Sequence, residues 1–209
     1  MIIGKTRYNL DFQLNNGFDI EKQRYYFISR FSRKCLLECN IDSLPVSLNL
    51  IIKHFKIKMV TYSSLKKLNI AQYKELINTN QGFSEKNNDG SYYIFYDDYI
   101  EPSIQRFTIA HEIGHILLKH FEKETKNTEK EANMFAARLL MPMAILKECK
   151  VKSIEEVKEL CFVSMQAATY RFNRLQEVSA RNKFYSDNNE KKLTKQFHSF
   201  IHQYLKLNK

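Results

Sequence analysis

The stretch RFTIAHEIGHILLKH, Arg106 to His120, constrains this chain more than any other. Ile104, Phe107, Ile109, Ala110, Ile113, Ile116, Leu117 and Phe121 spread a wide apolar arc, as a helix at the centre of a fold requires. Set into that helix are His111 and His115, four positions apart, with Glu112 directly after the first. Residues four apart on an α-helix differ by about 40° and lie one turn above each other. Both imidazoles can therefore reach one cation at roughly 2.0–2.1 Å. Glu112 is rotated by about 100° from His111, too far for a comfortable ligand but within reach of a water on that cation.

An amphipathic helix can spell HExxH by chance, on the order of once in one or two hundred chains of this length. Context separates the two readings. The five residues fall in a segment that is helical on independent grounds. SYYIFYDD, Ser91 to Asp98, reads as a strand immediately before it. An edge strand there would hold an extended peptide by backbone hydrogen bonds, with Tyr93 and Phe95 as its contacts.

Catalytic zinc usually takes three protein ligands and a water. HExxHxxGxxH does not continue here, because Leu118 stands in place of glycine and Phe121 in place of histidine. His120 falls about 140° round the helix from His115 and is expected to be exposed. A later helix, EKEANMFAARLLMP, offers Glu129 and Glu131. Ala132, Phe135, Ala136 and Leu139 make its buried stripe. Glu131, at the margin of that stripe, is the expected third ligand, whereas Glu129 starts the helix, where any carboxylate favours the dipole. His198 and His202 share the i, i+4 spacing without a following glutamate and read as a surface helix; His54 is ordinary.

The remaining elements follow from periodicity and breakers. Helices are expected from Asp19 to Asn40, over 45–56, over 63–78, over 129–141, over 153–161 and over 164–176, with one more near 193–205. IKMVTY reads as a strand and QGFSEKNNDG as a polar turn. Only five glycines and three prolines punctuate the chain, which favours helices. The division expected is 1–148 with the motif, 149–180 as a helix-turn-helix-like extension, and 181–209 as a basic tail. The start, MIIGKTRYNLDFQLNN, has no apolar run before a cleavage site, and no stretch approaches the roughly 20 apolar residues that cross a bilayer. Cys35, Cys39, Cys149 and Cys161 form no CxxC pair and read as buried thiols. A cytoplasmic location is expected. The net charge of +10 points weakly to an anionic partner and says nothing about a reaction.

RFTIAHEIGHILL followed by EKEANMFAARLLMP resembles the ImmA/IrrE family of metallopeptidases. SLPVSLNLIIKHFKIKMVTYS and EEVKELCFVSMQAATYRFNRL are similar to its flanking parts, so the likeness spans roughly residues 40–178. The resemblance implies a zincin-like α+β fold, mostly helical, with a small sheet beside the motif helix and a helical C-terminal extension. It implies zinc held by His111, His115 and Glu131, with Glu112 as general base. Known members cut helix-turn-helix repressors of phage, mobile elements or stress regulons, so the expected partner is a protein of that type. This chain is more similar to the compact ImmA type than to the longer IrrE type.

Two rival readings belong to other classes. One is a DNA-binding regulator with a structural zinc site, reading base edges with Gln166, Asn173 and Arg174 on the outer face of the 164–176 helix. The other is a silent binder that displaces its repressor uncut. Tyr92, Tyr93, Tyr96, Tyr99 and Arg138 are open candidates for stabilising an oxyanion, and Arg106 can equally serve as a structural partner.

Overall fold

The computed structural model describes residues 20–68, 73–121, 127–180 and 187–208. Residues 1–19, the first half of KETKNTEK and the first residues of the basic tail, Lys183 among them, lie outside the described residues. Within the described residues, α1 (Ile20–Glu38) and α2 (Leu48–His54) precede β1 (Lys58–Thr61), α3 (Tyr62–Leu68) and α4 (Lys74–Thr79). The hairpin β2 (Gly82–Lys86) and β3 (Tyr92–Tyr96) leads into α5 (Pro102–Leu117), the motif helix. Then come α6 (Thr128–Leu140), α7 (Met143–Glu148), α8 (Ile154–Cys161), α9 (Met165–Ala180), α10 (Asn188–Gln196) and α11 (His198–Leu207). The fold is α+β and mostly helical, with one three-stranded sheet.

QGFSEKNNDG is not only a turn. Its first half is β2, and the chain reverses at Asn87–Ser91, where the Asn87 amide donates to the Ser91 carbonyl at 2.9 Å. Gly90 takes φ 82°, the left-handed conformation this reversal needs. The polar composition hid the strand because the face it turns to α5 carries only Gly82 and Ser84, while Phe83 alone packs on the smaller core cluster. Strand order is β1-β3-β2, with β1 parallel and β2 antiparallel to β3. The strand before the motif helix is therefore the central one, and β1 and β2 are the two edges.

Few glycines are available to end helices, and the chain closes five of them with other residues in the left-handed region. Asn40, Lys56, Lys119, Lys150 and Phe162 all have φ between 51° and 60°. Each is followed by a residue whose amide donates back to the carbonyl five positions earlier, from Ile41 to Leu36, Ile57 to Ile52, His120 to His115, Val151 to Leu146 and Val163 to Lys158. This is the Schellman closure, which turns the next side chain inward. All five of those next residues are buried. Four are Ile or Val, and the fifth is His120.

One hydrophobic core joins α1, α2, α5, α6, α7, α8, α9, α10 and α11, with Leu36, Ile51, Ile113, Phe135, Leu139, Val157, Leu193 and Phe197 all fully enclosed. Among the described residues, neither 148 nor 180 marks a break in that packing. A smaller cluster of Tyr62, Leu65 and Phe95 lies on the other face of the sheet. Cys35, Cys39, Cys149 and Cys161 are free and buried. His198, His202 and His54 lie at the surface.

Candidate metal centre

α5 and α6 cross closely because of one glycine. A Cβ on Gly114 would meet the Ala132 Cα at 3.2 Å and the Ala132 carbonyl oxygen at 3.3 Å. That contact brings the first turn of α6 over the two motif histidines. His111 Nε2 and His115 Nε2 lie 2.9 Å apart. The Glu129 carboxylate spans them, its two oxygens 3.2 Å from His111 Nε2 and His115 Nε2 respectively. Tetrahedral zinc with bonds of 2.0–2.1 Å separates its ligand atoms by about 3.3 Å. The three donors fit one such ion, and the group is the candidate metal site among the described residues.

The outer nitrogens agree with that assignment. His111 Nδ1 lies 2.9 Å from Asn133 Oδ1 and His115 Nδ1 lies 3.0 Å from His120 Nδ1. When Nδ1 carries the proton, Nε2 keeps its lone pair for a cation. Burial, with the neighbouring His111, pushes His115 down to about 4, which keeps it in the neutral, ligating form. Burial lowers His120 as well.

Glu131, the expected third ligand, is not brought to the two histidines. Its carboxylate takes two hydrogen bonds from Arg24, at 2.9 and 2.6 Å, and sits 3.2 Å from His120 Nε2. The reason is helical phase. Glu129 continues the face of Ala132, Asn133 and Ala136, which meets α5. Glu131 is two residues on and falls in line with Phe135 and Arg138, the flank that meets α1. The signal was present, since Glu129 and Asn133 are one turn apart and both reach the histidines.

His120 is also corrected. It is only 6% exposed, because α5 stops at Leu117 and the left-handed Lys119 folds the chain back. Continuing the helical wheel past the helix end placed it outside.

Glu112 is 6% exposed and accepts a 2.6 Å hydrogen bond from the Ser84 hydroxyl of β2. Burial raises its carboxyl above the usual range, and the bond from Ser84 and the charge of the nearby His111 oppose that shift in part. Gly82 makes the approach of β2 possible, since a Cβ there would lie 2.4 Å from Thr108 Cγ2. Ser84, Asn133, Gly82 and His120 were not foreseen as site residues. An open cavity of about 620 Å³ runs beside this group, lined by Asn80, Gly82, Phe83, Thr108, Phe121 and the histidines among others. Tyr62 fixes its rim by donating to the Asn80 carbonyl at 3.0 Å.

Tyr93 and Phe95 do not line this cavity. They belong to the central strand, whose backbone groups are committed on both sides, and Phe95 stacks on Phe83 with ring centres 4.6 Å apart. Of the two edge strands, β2 is the one that lines the cavity. Among the oxyanion candidates, Tyr92, Tyr93, Tyr96 and Tyr99 are likewise not among the cavity's lining residues. Arg138 lies over the Tyr25 ring at 4.1 Å and donates to Ser29 Oγ at 2.6 Å. Arg106 donates to the Val46 carbonyl, a structural role.

α8 and α9 form the expected pair, with the Ser164 hydroxyl accepting from the Ala167 amide at 3.2 Å. Arg174 on its outer face is paired with Glu177 at 2.8 Å. No helix among the described residues is long and apolar enough to cross a membrane.

A comparison with curated proteins gave no match. A family model described as the IrrE N-terminal-like domain, of the peptidase family M78, matches residues 65–173, more than half of the chain and including every residue of the His111–His115–Glu129 group.

Proposed function

Because the chain belongs to the IrrE N-terminal-like family of metallopeptidases, we propose that it is a zinc-dependent endopeptidase that cuts a helix-turn-helix repressor and so relieves repression. The observation that carries the reading is the convergence of three ligand atoms from α5 and α6 on one side of a buried, raised-pKa carboxylate. His111, His115 and Glu129, which line the cavity, would hold the cation. When bound, the ion supplies a Lewis acid that acidifies water and polarises a carbonyl.

The chain's own residues do the rest. β2, the edge strand that lines the cavity, pairs with an extended substrate segment and lays its scissile bond across the cavity. Glu112, held by Ser84, takes a proton from the attacking water and delivers it to the amide nitrogen as the C–N bond breaks. Asn133 keeps the His111 ring turned with Nε2 inward.

The repressor substrate rests on the resemblance of RFTIAHEIGHILL and EKEANMFAARLLMP to the ImmA type. The cytoplasm is the proposed location, supported by four free buried cysteines. A purely structural zinc site would be closed by four ligands, and three donors facing an open cavity favour hydrolysis. The test is co-expression with helix-turn-helix repressors encoded near the gene. Fragments of one repressor should form with the parent chain and fall by roughly 10²–10⁴ with Glu112→Gln, while zinc binding stays. Derepression that survives Glu112→Gln would leave a silent binder as the correct reading.

A further inference from the structure

We propose that Arg24, Glu131 and His120 form a hydrogen-bond chain that fixes the tautomer and orientation of His115, so that the N-terminal helix α1 supports the metal centre. The inference rests on His115 being a metal ligand. Arg24 donates Nε to Glu131 Oε1 at 2.9 Å and Nη2 to Glu131 Oε2 at 2.6 Å, a two-pronged grip that aligns the carboxylate. Glu131 Oε2 lies 3.2 Å from His120 Nε2, and His120 Nδ1 lies 3.0 Å from His115 Nδ1. His115 Nε2 then faces His111 and Glu129.

Only one placement of protons satisfies this chain with neutral imidazoles. An ionised carboxylate is acceptor-only, so His120 Nε2 donates to Glu131. His120 Nδ1 is then an acceptor, and His115 Nδ1 donates to it. His115 Nε2 is left bare, on the side where Glu129 and His111 present their own donors. Were Glu131 withdrawn, His120 could take either tautomer, and one of the two would turn the His115 proton toward the cation.

The fold supplies a second, independent pointer. The inward position after a left-handed helix end is taken by Ile41, Ile57, Val151 and Val163 elsewhere in the chain. Apolar packing alone accounts for those four. At the end of α5 the same position holds a histidine, buried and bonded on both nitrogens. Arg24, at the remote end, stands on a helix outside the matched residues 65–173.

The test measures zinc affinity by competition with a chromophoric chelator, together with the visible spectrum of the cobalt-loaded protein. Outer partners of metal-bound histidines are worth roughly 10–100-fold in affinity. His120→Phe should weaken zinc by about that factor and alter the cobalt bands, with Arg24→Met giving a smaller loss in the same direction. The double variant should bind no more weakly than His120→Phe alone, because both changes act through one chain. Arg24→Met leaves the Glu131 carboxylate, 12% exposed, without its guanidinium, so the circular dichroism of each metal-free variant is checked against the parent to separate a lost fold from a lost relay. His115→Ala separates the two readings. If it abolishes zinc binding while the Arg24 and His120 variants bind within about twofold of the parent, the relay is refuted and the metal centre stands. If His115→Ala binds zinc as the parent does, the metal centre itself is refuted, and the relay with it.

Discussion

Glu129 and Glu131 are two residues apart and differ in everything that matters to a cation. Glu129 is exposed at the mouth of the cavity with both oxygens 3.2 Å from histidine nitrogens, whereas Glu131 is enclosed between Arg24 and His120. The two positions therefore separate experimentally. Glu129→Ala should lower zinc affinity by more than the roughly 10–100-fold of an outer partner, and Glu131→Gln should stay within that range, as read by chelator competition. The reverse order would return the ligand role to Glu131. The HExxH spacing made His111, Glu112 and His115 readable as a group, because helical geometry fixes their relation over one turn. It left the third carboxylate to the docking of a second helix, and there a margin position on a predicted stripe was a poor guide.

At the scale of elements, the site depends on how closely a strand and a helix can approach α5. On the strand side, Gly82 allows β2 to bring Ser84 within 2.6 Å of Glu112. Gly82→Ala would set a Cβ 2.4 Å from the Thr108 methyl, an overpacking expected to cost about 1–3 kcal/mol and to lower turnover as Ser84 shifts. Thr108→Ser removes that methyl, so adding it should restore much of the melting temperature lost by Gly82→Ala. A double variant as unstable as the single one would show that the constraint lies in the strand pairing with Phe95, whose carbonyl is also only 3.2 Å away. β3 and α5 were readable from alternation and the apolar arc. β2 was not, since a strand whose inward residues are Gly82 and Ser84 carries no hydrophobic alternation to detect.

For the whole molecule, the helices after α9 are part of the core and not an appendage. Leu193, Phe197 and Ile201 pack into the same cluster as Leu36, Ile41 and Phe135, and Gln196 donates to the Leu36 and Ile41 carbonyls at 3.1 and 2.6 Å. Arg33 of α1 pairs with Asp187, the N-cap of α10, at 2.7 Å. Phe197→Ala should therefore destabilise the protein by about 3–5 kcal/mol in urea unfolding, the range for deleting a buried aromatic. A loss below about 1 kcal/mol would show that the tail folds apart from the body. The same α1 that these helices hold in place carries Arg24, so the C-terminal packing also bears on the metal centre.

Local rules alone determined the motif helix, its two imidazoles on one face, the carboxylate beside them and the mostly helical class, because each depends on contacts within a few residues. Tertiary structure decided that Glu129 faces the histidines, that Glu131 faces Arg24, that β2 is an edge strand beside the cavity, and that His120 is drawn inward. Each of those depends on which flank of one element meets another, and that choice is made by close approach at Gly114 and Gly82 and by the left-handed turn at Lys119. Periodicity states that a face is buried; only the packed neighbours state against what.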